Sequence, residues 1–197
     1  NIDLFSASEP RIAKELFAMF LSKKTGIKKY DLKKMRTHRS KLIVNDLLLP
    51  YIKFETATFQ RLVSKFRDLE LDPYDLKGSF KYSVRYKGIT THFGLGGVHG
   101  ARKDIYTSND EFVIMSSDVT SFYPNLAIRN KWSPAHLPKE EFCDQYEWFF
   151  DERKKIPKSD PRNYVYKIVL NSTYGLSNDE NSFLYDPELN MRINLNG

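Results

Sequence analysis

A carboxylate that follows an apolar run is the first feature of this sequence that could do chemistry. The run 112–115 predicts a buried strand, Asp118 comes after it, and Pro124 can open a helix. A lone Asp in this place is most often a turn or cap residue. The alternative is a metal ligand on a rigid strand, with the N–H groups of the turn aimed at phosphate. The pattern alone leaves both open.

A second group of polar side chains lies on one predicted helix, which begins at the Asp-Pro pair 160–161 and ends at Gly175. Lys167, Asn171 and Tyr174 are offset by four and three residues, so they share a helix face. An ammonium, an amide and a phenol suit the phosphate, sugar and base of a nucleotide. The plain alternative for the lysine is an ordinary solvated position on the helix.

These two segments resemble motifs of family B DNA polymerases, most closely the bacteriophage or prophage type. Residues 118–124 read Asp-Val-Thr-Ser-Phe-Tyr-Pro and resemble motif A, Asp-x-x-Ser-hydrophobic-Tyr-Pro. Residues 167–175 read Lys-Ile-Val-Leu-Asn-Ser-Thr-Tyr-Gly and resemble motif B, Lys-x-x-x-Asn-Ser-x-Tyr-Gly. The resemblance implies a palm-and-fingers fragment of a DNA-directed DNA polymerase. Such an enzyme transfers nucleotides from dNTPs to the primer 3′-hydroxyl on template DNA.

The resemblance assigns the metal chemistry to motif A. Asp118 is expected to bind both catalytic Mg²⁺ ions, and the carbonyl of Val119 is expected to complete one metal site. Both groups are oxygen donors, which the hard Mg²⁺ ion prefers. Two such ions assist the in-line attack and neutralise the pyrophosphate leaving group.

The same resemblance implies contacts with the incoming nucleotide and with DNA. Tyr123 is expected to stack under the deoxyribose and to exclude a 2′-hydroxyl. The other expected nucleotide contacts are Ser121, Phe122, Arg153, Lys167 and Asn171. The expected contacts with primer-template DNA are Tyr174, Gly175, Gly96 and Gly97.

Three departures from the family pattern matter. No motif C, Asp-Thr-Asp, is present in the 197 residues, so one metal-binding carboxylate is missing and the isolated chain is predicted to be inactive. Only about fifty residues separate Asp118 from Lys167, which predicts short fingers, a helical hairpin over about 140–175. The glycine-rich stretch 94–97 lacks the aromatic residue of the family's Tyr-x-Gly-Gly template motif.

The elements that must position these groups predict an α+β fold. The expected architecture is a palm-like antiparallel sheet carrying Asp118, short helical fingers and a helical N-terminal segment. The predicted helices run from Glu9 to a stop at Gly26, over 30–40 and over 59–69. The predicted hairpin pairs 80–86 with 89–93, and a glycine-rich loop covers 94–100. The predicted division is a basic connecting segment at 1–70 and a partial palm with fingers at 71–197.

Positive charge is concentrated at the N-terminal end. Residues 1–70 hold 15 Lys+Arg against 8 Asp+Glu, although the whole chain has a net charge of only +6. The stretch 23–41 contains nine basic residues and a single Asp. Such a segment attracts polyanions, because each neutralised phosphate releases counterions. A solvated basic surface is the alternative. The predicted DNA contacts of this stretch are Lys28, Lys29, Lys33 and Lys34.

Composition bounds the remaining possibilities. A chain that is 41% hydrophobic and 14% aromatic can bury a core, and no apolar run is long enough to span a membrane. A single cysteine, Cys143, excludes an internal disulfide and fits a reducing compartment, so we expect the cytoplasm of a bacterial or phage-infected cell. The start at Asn1 suggests a fragment. Two alternatives stay open: a non-catalytic nucleic-acid-binding module, and an interaction domain in which neither motif is functional.

Overall fold

The computed structural model describes residues 7–76, 80–94 and 97–197, and it is a mixed α+β structure, as the sequence predicts. The helices are α1 (Glu9–Thr25), α2 (Lys29–Leu32), α3 (Val44–Leu47), α4 (Ala57–Arg67), α5 (Phe122–Asn130), α6 (Lys139–Lys155), α7 (Pro161–Leu176) and α8 (Pro187–Asn196). The strands are β1 (Leu42–Ile43), β2 (Glu70–Leu71), β3 (Lys81–Tyr86), β4 (Ile89–Gly94) and β5 (Gly97–Ala101). Strands β1 and β2 pair with each other, and β3, β4 and β5 form a second antiparallel sheet in that order.

The predicted N-terminal helix is confirmed. Pro10 lies in its first turn, and Gly26 ends it with a left-handed φ of 75°, its N–H donating to the Ser22 carbonyl at 2.9 Å. The predicted helix over 30–40 is much shorter and covers only α2. Beyond α2 the chain is fixed instead by long-range bonds, such as Arg36 Nε donating to the Glu180 carbonyl at 2.8 Å.

A helical core holds the predicted finger helices against the N-terminal segment. Phe17 of α1 is fully buried, with its ring centroid 5.0 Å from that of Phe142 and 5.7 Å from that of Phe149, both on α6. Helix α7 adds Val169 and Leu170 to the same cluster. The predicted helical hairpin over 140–175 is therefore confirmed as α6 and α7, and α1 packs against both helices.

A second core lies between the three-stranded sheet, α4 and α8. The ring of Phe66 on α4 packs 4.9 Å from Phe80 and 5.6 Å from Phe93, measured between centroids. The predicted hairpin is confirmed, and its turn has positive φ at Lys87 and Gly88, as a two-residue hairpin turn favours. The predicted glycine-rich loop over 94–100 is wrong at its described residues, because Gly94 ends β4 and β5 pairs with β4 from Gly97 onward; residues 95–96 lie outside the described residues.

The predicted strand over 112–115 is not formed. Residues 102–119 have no regular secondary structure, and Ile114 and Met115 are 61% and 87% exposed. Asn109 turns the chain back locally, because its side-chain oxygen accepts from the N–H of Glu111 and of Phe112 at 3.0 and 2.8 Å. A strand needs a neighbouring strand to satisfy its backbone, and no described strand pairs with this segment. The expectation that Asp118 sits on the sheet is therefore wrong.

Candidate functional site

The turn that carries motif A is held in a special backbone conformation. Ser121 has φ 51° and ψ 48°, the left-handed region that non-glycine residues rarely occupy. The Asn125 side chain secures this turn by donating to the carbonyls of Thr120 and Ser121 at 3.0 and 3.1 Å. Backbone strain of this kind is commonly found at functional sites, where the surrounding structure holds it in place. Ser121 and Phe122 open α5, as the Pro124 signal suggests.

Arg153 connects the end of α6 to this turn. Its Nη1 donates to Ser121 Oγ at 3.0 Å, and its Nε donates to Asn163 Oδ1 at 3.3 Å. Asn163 is buried, and its amide nitrogen also donates to the carbonyls of Arg153 and Ile156 at 3.1 and 2.7 Å. Asn163 thus fixes the guanidinium and caps the end of α6. The role of Asn163 is not predictable from the sequence, because an Asn in the first turn of a helix has no distinguishing pattern.

A cationic cavity of about 200 Å³ opens between this turn and the α6–α7 connection. Its cations are Arg153, Lys154 and Lys158, and no carboxylate lines it. Lys154 is partly compensated, since its Nζ lies 3.4 Å from Asp151 and 3.8 Å from the Phe150 ring centroid. An anion of phosphate size suits such a cavity. The complete lining is Thr120, Ser121, Phe150, Arg153, Lys154, Ile156, Lys158 and Asn163.

The two motifs meet through a pair of tyrosines. The rings of Tyr123 and Tyr174 are stacked, with centroids 4.7 Å apart and an interplanar angle of 22°. The Tyr174 hydroxyl donates to Asn194 Oδ1 at 2.5 Å, and Asn194 Nδ2 donates to Asn190 Oδ1 at 3.0 Å. Burial and the neighbouring Tyr123 raise the pKa of Tyr174, so its phenol stays protonated and can donate. Helix α8, which supplies both asparagines, is not among the helices that the sequence predicts.

The two other polar residues that the sequence assigns to the nucleotide from motif B face solvent. Lys167 and Asn171 are exposed on α7, and within the described part of the chain neither side chain forms a hydrogen bond or ion pair. They are therefore available to a ligand, although they do not line the cationic cavity. Gly175 does not end the helix as predicted. The helix continues to Leu176, and Ser177 caps it in a right-handed conformation.

Asp118 and Val119 stand apart from this group. Both are exposed in the irregular segment before the motif A turn. Their carboxylate and carbonyl oxygens are the donor class that Mg²⁺ prefers. Within residues 7–76, 80–94 and 97–197, however, no group of three or more His, Cys, Asp or Glu side chains could hold a metal ion. The described donors therefore do not complete a two-ion site by themselves, and their placement supports no catalytic step through Mg²⁺ in this chain alone.

The predicted DNA contacts have different environments. Gly96 lies outside the described residues, whereas Gly97 has φ 112° and nothing within 4 Å of an added Cβ. Lys29 and Lys33 are both paired with Glu15 of α1. Burial disfavours the charged carboxylate of Glu15 and by itself raises its pKa. The hydrogen bonds from the two lysines act in the opposite direction, and together with their charges they lower the pKa overall.

Other members of the basic stretch are also compensated within the chain. Lys24 pairs with Asp144, Lys41 with Glu70, and Arg39 with Asp186 and Glu188. Lys28 forms no ion pair in the described structure, and the Lys34 ammonium lies over the Tyr30 ring, 3.8 Å from its centroid. The sequence suggests that the positive charge of this stretch is available to a polyanion. Much of that charge is instead paired with carboxylates of the same chain.

No helix in the described parts of the chain is long and apolar enough to cross a membrane. No protein-family model matches the sequence, and neither the curated proteins nor the solved structures gave a match. The geometry of the two motifs and the sequence resemblance are therefore the grounds for a functional proposal.

Proposed function

We propose that this chain is a palm-and-fingers portion of a DNA-directed DNA polymerase of family B. The contact between the two motifs carries the proposal. Two segments about fifty residues apart, matched independently to motifs A and B, meet in the stacked pair Tyr123 and Tyr174, 4.7 Å apart. A chance match of either motif would not require them to be neighbours in space.

In this proposal the motif A turn and the finger helices bind the incoming dNTP. The triphosphate occupies the cationic cavity, where Arg153 is already aimed at the turn by its bonds to Ser121 and Asn163. Cations beside the phosphates neutralise charge that develops on the leaving pyrophosphate. Lys167 and Asn171 are free to contact the same nucleotide from α7.

The stacked tyrosines set the shape of the sugar and base site in this proposal. Tyr123 is held on one face by Tyr174, which is itself bonded to Asn194. A ring that cannot turn away excludes an added 2′-hydroxyl by steric overlap. Mg²⁺ is the proposed cofactor of the complete polymerase, with Asp118 and Val119 as the ligands from this chain, and the proposed compartment is the cytoplasm of a bacterial or phage-infected cell.

Nucleotide binding by the 197-residue chain tests the proposal. We expect Lys167→Ala to weaken binding of a dNTP about tenfold, the loss of one charge-assisted contact, while DNA binding changes little. Lys65→Ala is the matched control, since Lys65 is an exposed lysine on α4. Equal dNTP affinity in the wild type and both variants would contradict the proposal. The chain alone is expected not to extend a primer, because one carboxylate cannot organise two metal ions.

The second candidate is a non-catalytic nucleic-acid-binding module. The uncompensated Lys28 and the exposed Lys34 favour it. DNA affinity that falls steeply with salt, and that drops when Lys28 and Lys34 are reversed to Glu, would support this function. If dNTP binding fails while this salt dependence holds, the module replaces the polymerase as the proposal.

A further inference from the structure

A second polar cavity lies on the face formed by α1 and α6, and neither motif contributes to it. Its volume is about 440 Å³. Both helices supply aromatic and polar groups to its walls. The lining consists of Phe20, Lys23, Lys24, Asp144, Gln145 and Trp148.

Gln145 is the most informative member of this cavity. Its side chain is nearly buried, with 6% exposure, and its Nε2 atom has no hydrogen-bond partner among the described residues. Burial of an unpaired donor costs about 1–3 kcal/mol, so such groups are rare in folded proteins. An apolar side chain of the same length would avoid that cost. The Nε2 atom is shielded from solvent, so a ligand with a hydrogen-bond acceptor would offset that cost only after the side chain turns toward the cavity.

Trp148 gives the cavity a rigid aromatic wall. Its ring lies 5.2 Å from Phe20 and 5.2 Å from Phe149, measured between centroids, and the side chain is still 38% exposed. Neighbouring rings on α1 and α6 therefore fix the indole while part of it stays open. An open, immobilised indole is a stacking surface for a flat ring.

The charge at the rim is positive. Lys23, in the last turn of α1, is exposed and has no ion pair in the described structure. Asp144, the one carboxylate of the lining, is compensated by Lys24 at 2.9 Å. Lys28, also without an ion pair in the described part of the chain, lies five residues after Lys23 and does not line the cavity.

We propose that this cavity binds one nucleotide of a single-stranded nucleic acid. The base stacks on Trp148, the Gln145 side chain turns into the cavity so that its amide N–H donates to an acceptor of the base or sugar, and the phosphate lies beside Lys23. An aromatic platform next to uncompensated cations is the combination by which single strands are bound without sequence preference. An acidic peptide would use Lys23 but would leave the indole surface unused. The residues are separate from motifs A and B, so this site stands or fails independently of the polymerase proposal.

Fluorescence of Trp148 reports directly on the site. The chain has two tryptophans, so a Trp132→Phe background leaves Trp148 as the single emitter. Titration of this protein with a ten-residue oligothymidylate is expected to quench the emission in a saturable way. If the Trp132→Phe variant does not fold, Trp148→Phe is made in the wild-type sequence instead. Fluorescence anisotropy of a labelled oligonucleotide then measures how much affinity is lost without the indole.

Two substitutions decide the outcome. Gln145→Leu is expected to weaken oligonucleotide binding about three- to tenfold, the value of one hydrogen bond, without lowering the free energy of unfolding. Lys23→Gln is expected to reduce the slope of log affinity against log salt by about 0.7. Lys65→Gln on α4 is the charge-matched control and is expected to change neither.

The proposal is overturned if the Gln145→Leu and Lys23→Gln variants bind the oligonucleotide with the same affinity and salt dependence as the Lys65→Gln control. It is also overturned if the oligonucleotide leaves Trp148 emission unchanged. Equal quenching by poly-glutamate would also overturn it, in favour of an acidic polypeptide. Lys23→Gln is a surface change that does not depend on core packing, so its result stands even if Gln145→Leu alters the fold.

Discussion

The helix that carries Lys167 and the segment that carries Asp118 belong to the same sequence resemblance, yet they are held in different ways. Helix α7 buries Ile168, Val169 and Leu170 in the helical core. Residues 102–119 are exposed throughout. A helix closes its backbone hydrogen bonds within its own sequence, whereas a strand depends on a neighbour. The helix that carries Lys167 is therefore specified by its local sequence, whereas the local sequence around Asp118 does not fix the position of that carboxylate.

The prediction with the largest expected effect compares how much a side chain from each region contributes to the free energy of unfolding. Phe17→Ala removes a fully buried ring from the helical core and is expected to lower the free energy of unfolding by about 3–5 kcal/mol. Ile114→Ala changes a side chain that is 61% exposed and is expected to cost less than about 0.5 kcal/mol. Urea denaturation of both variants measures the difference. A cost above about 1.5 kcal/mol for Ile114→Ala would mean that 112–115 is packed after all, as its sequence suggests.

An ion pair anchors the N-terminal basic stretch to α8, and its loss gives the second prediction. Arg39 Nε lies 3.0 Å from Asp186, which is 1% exposed, and Arg39 Nη1 lies 2.7 Å from Glu188. The hydrogen bond that Arg39 donates to Asp186 raises the pKa of the guanidinium. Arg39→Ala leaves a buried carboxylate without its cation and is expected to cost about 3 kcal/mol.

Lys41→Ala is the matched control for that substitution. Lys41 is only two residues away, but its pair with Glu70 is exposed on both sides. Such surface pairs contribute about 0–1 kcal/mol. Thermal unfolding of the two variants compares them. Equal losses would show that burial of Asp186 does not set the strength of the Arg39 contact.

The sequence predicts the elements whose signals are local. The helix ended by Gly26, the helix opened by Asp160, and the hairpin turning at Lys87 and Gly88 are all confirmed. The run 112–115 carries an equally clear apolar pattern, but Asn109 offers the N–H of its first residue, Phe112, a local acceptor. An apolar pattern indicates which side chains a strand would bury. It does not identify the neighbouring strand that would pair with it.

The candidate site shows the same division between local and long-range signals. The shared helix face of Lys167, Asn171 and Tyr174 follows from residue spacing alone. The roles of Asn163 and Asn194 depend on partners brought together by the fold, at separations of 10 and 20 residues from Arg153 and Tyr174. The internal pairing of Lys29 and Lys33 with Glu15 is also long-range, so a count of lysines overstates the charge available to DNA.

The smallest expected effect tests how α8 fixes the motif B tyrosine. Tyr174→Phe keeps the ring stacked on Tyr123 and removes only the hydroxyl that donates to Asn194 at 2.5 Å. We expect a loss of about 1 kcal/mol in the free energy of unfolding. Tyr166→Phe is the control, because the Tyr166 hydroxyl bonds to no described residue, and it is expected to change stability by less than about 0.5 kcal/mol.

A double-mutant cycle with Asn194→Ala separates the hydrogen bond from other effects of the substitution. The coupling energy between Tyr174 and Asn194 is expected to be about 1 kcal/mol if the bond orients the ring. The same cycle applied to dNTP binding then asks whether that orientation matters to the ligand. If the coupling is zero, the tyrosine is held by its stack alone, and α8 contributes packing to the second core but no positioning to the site. If the coupling appears in both measurements, a helix outside both motifs becomes part of the proposed nucleotide site.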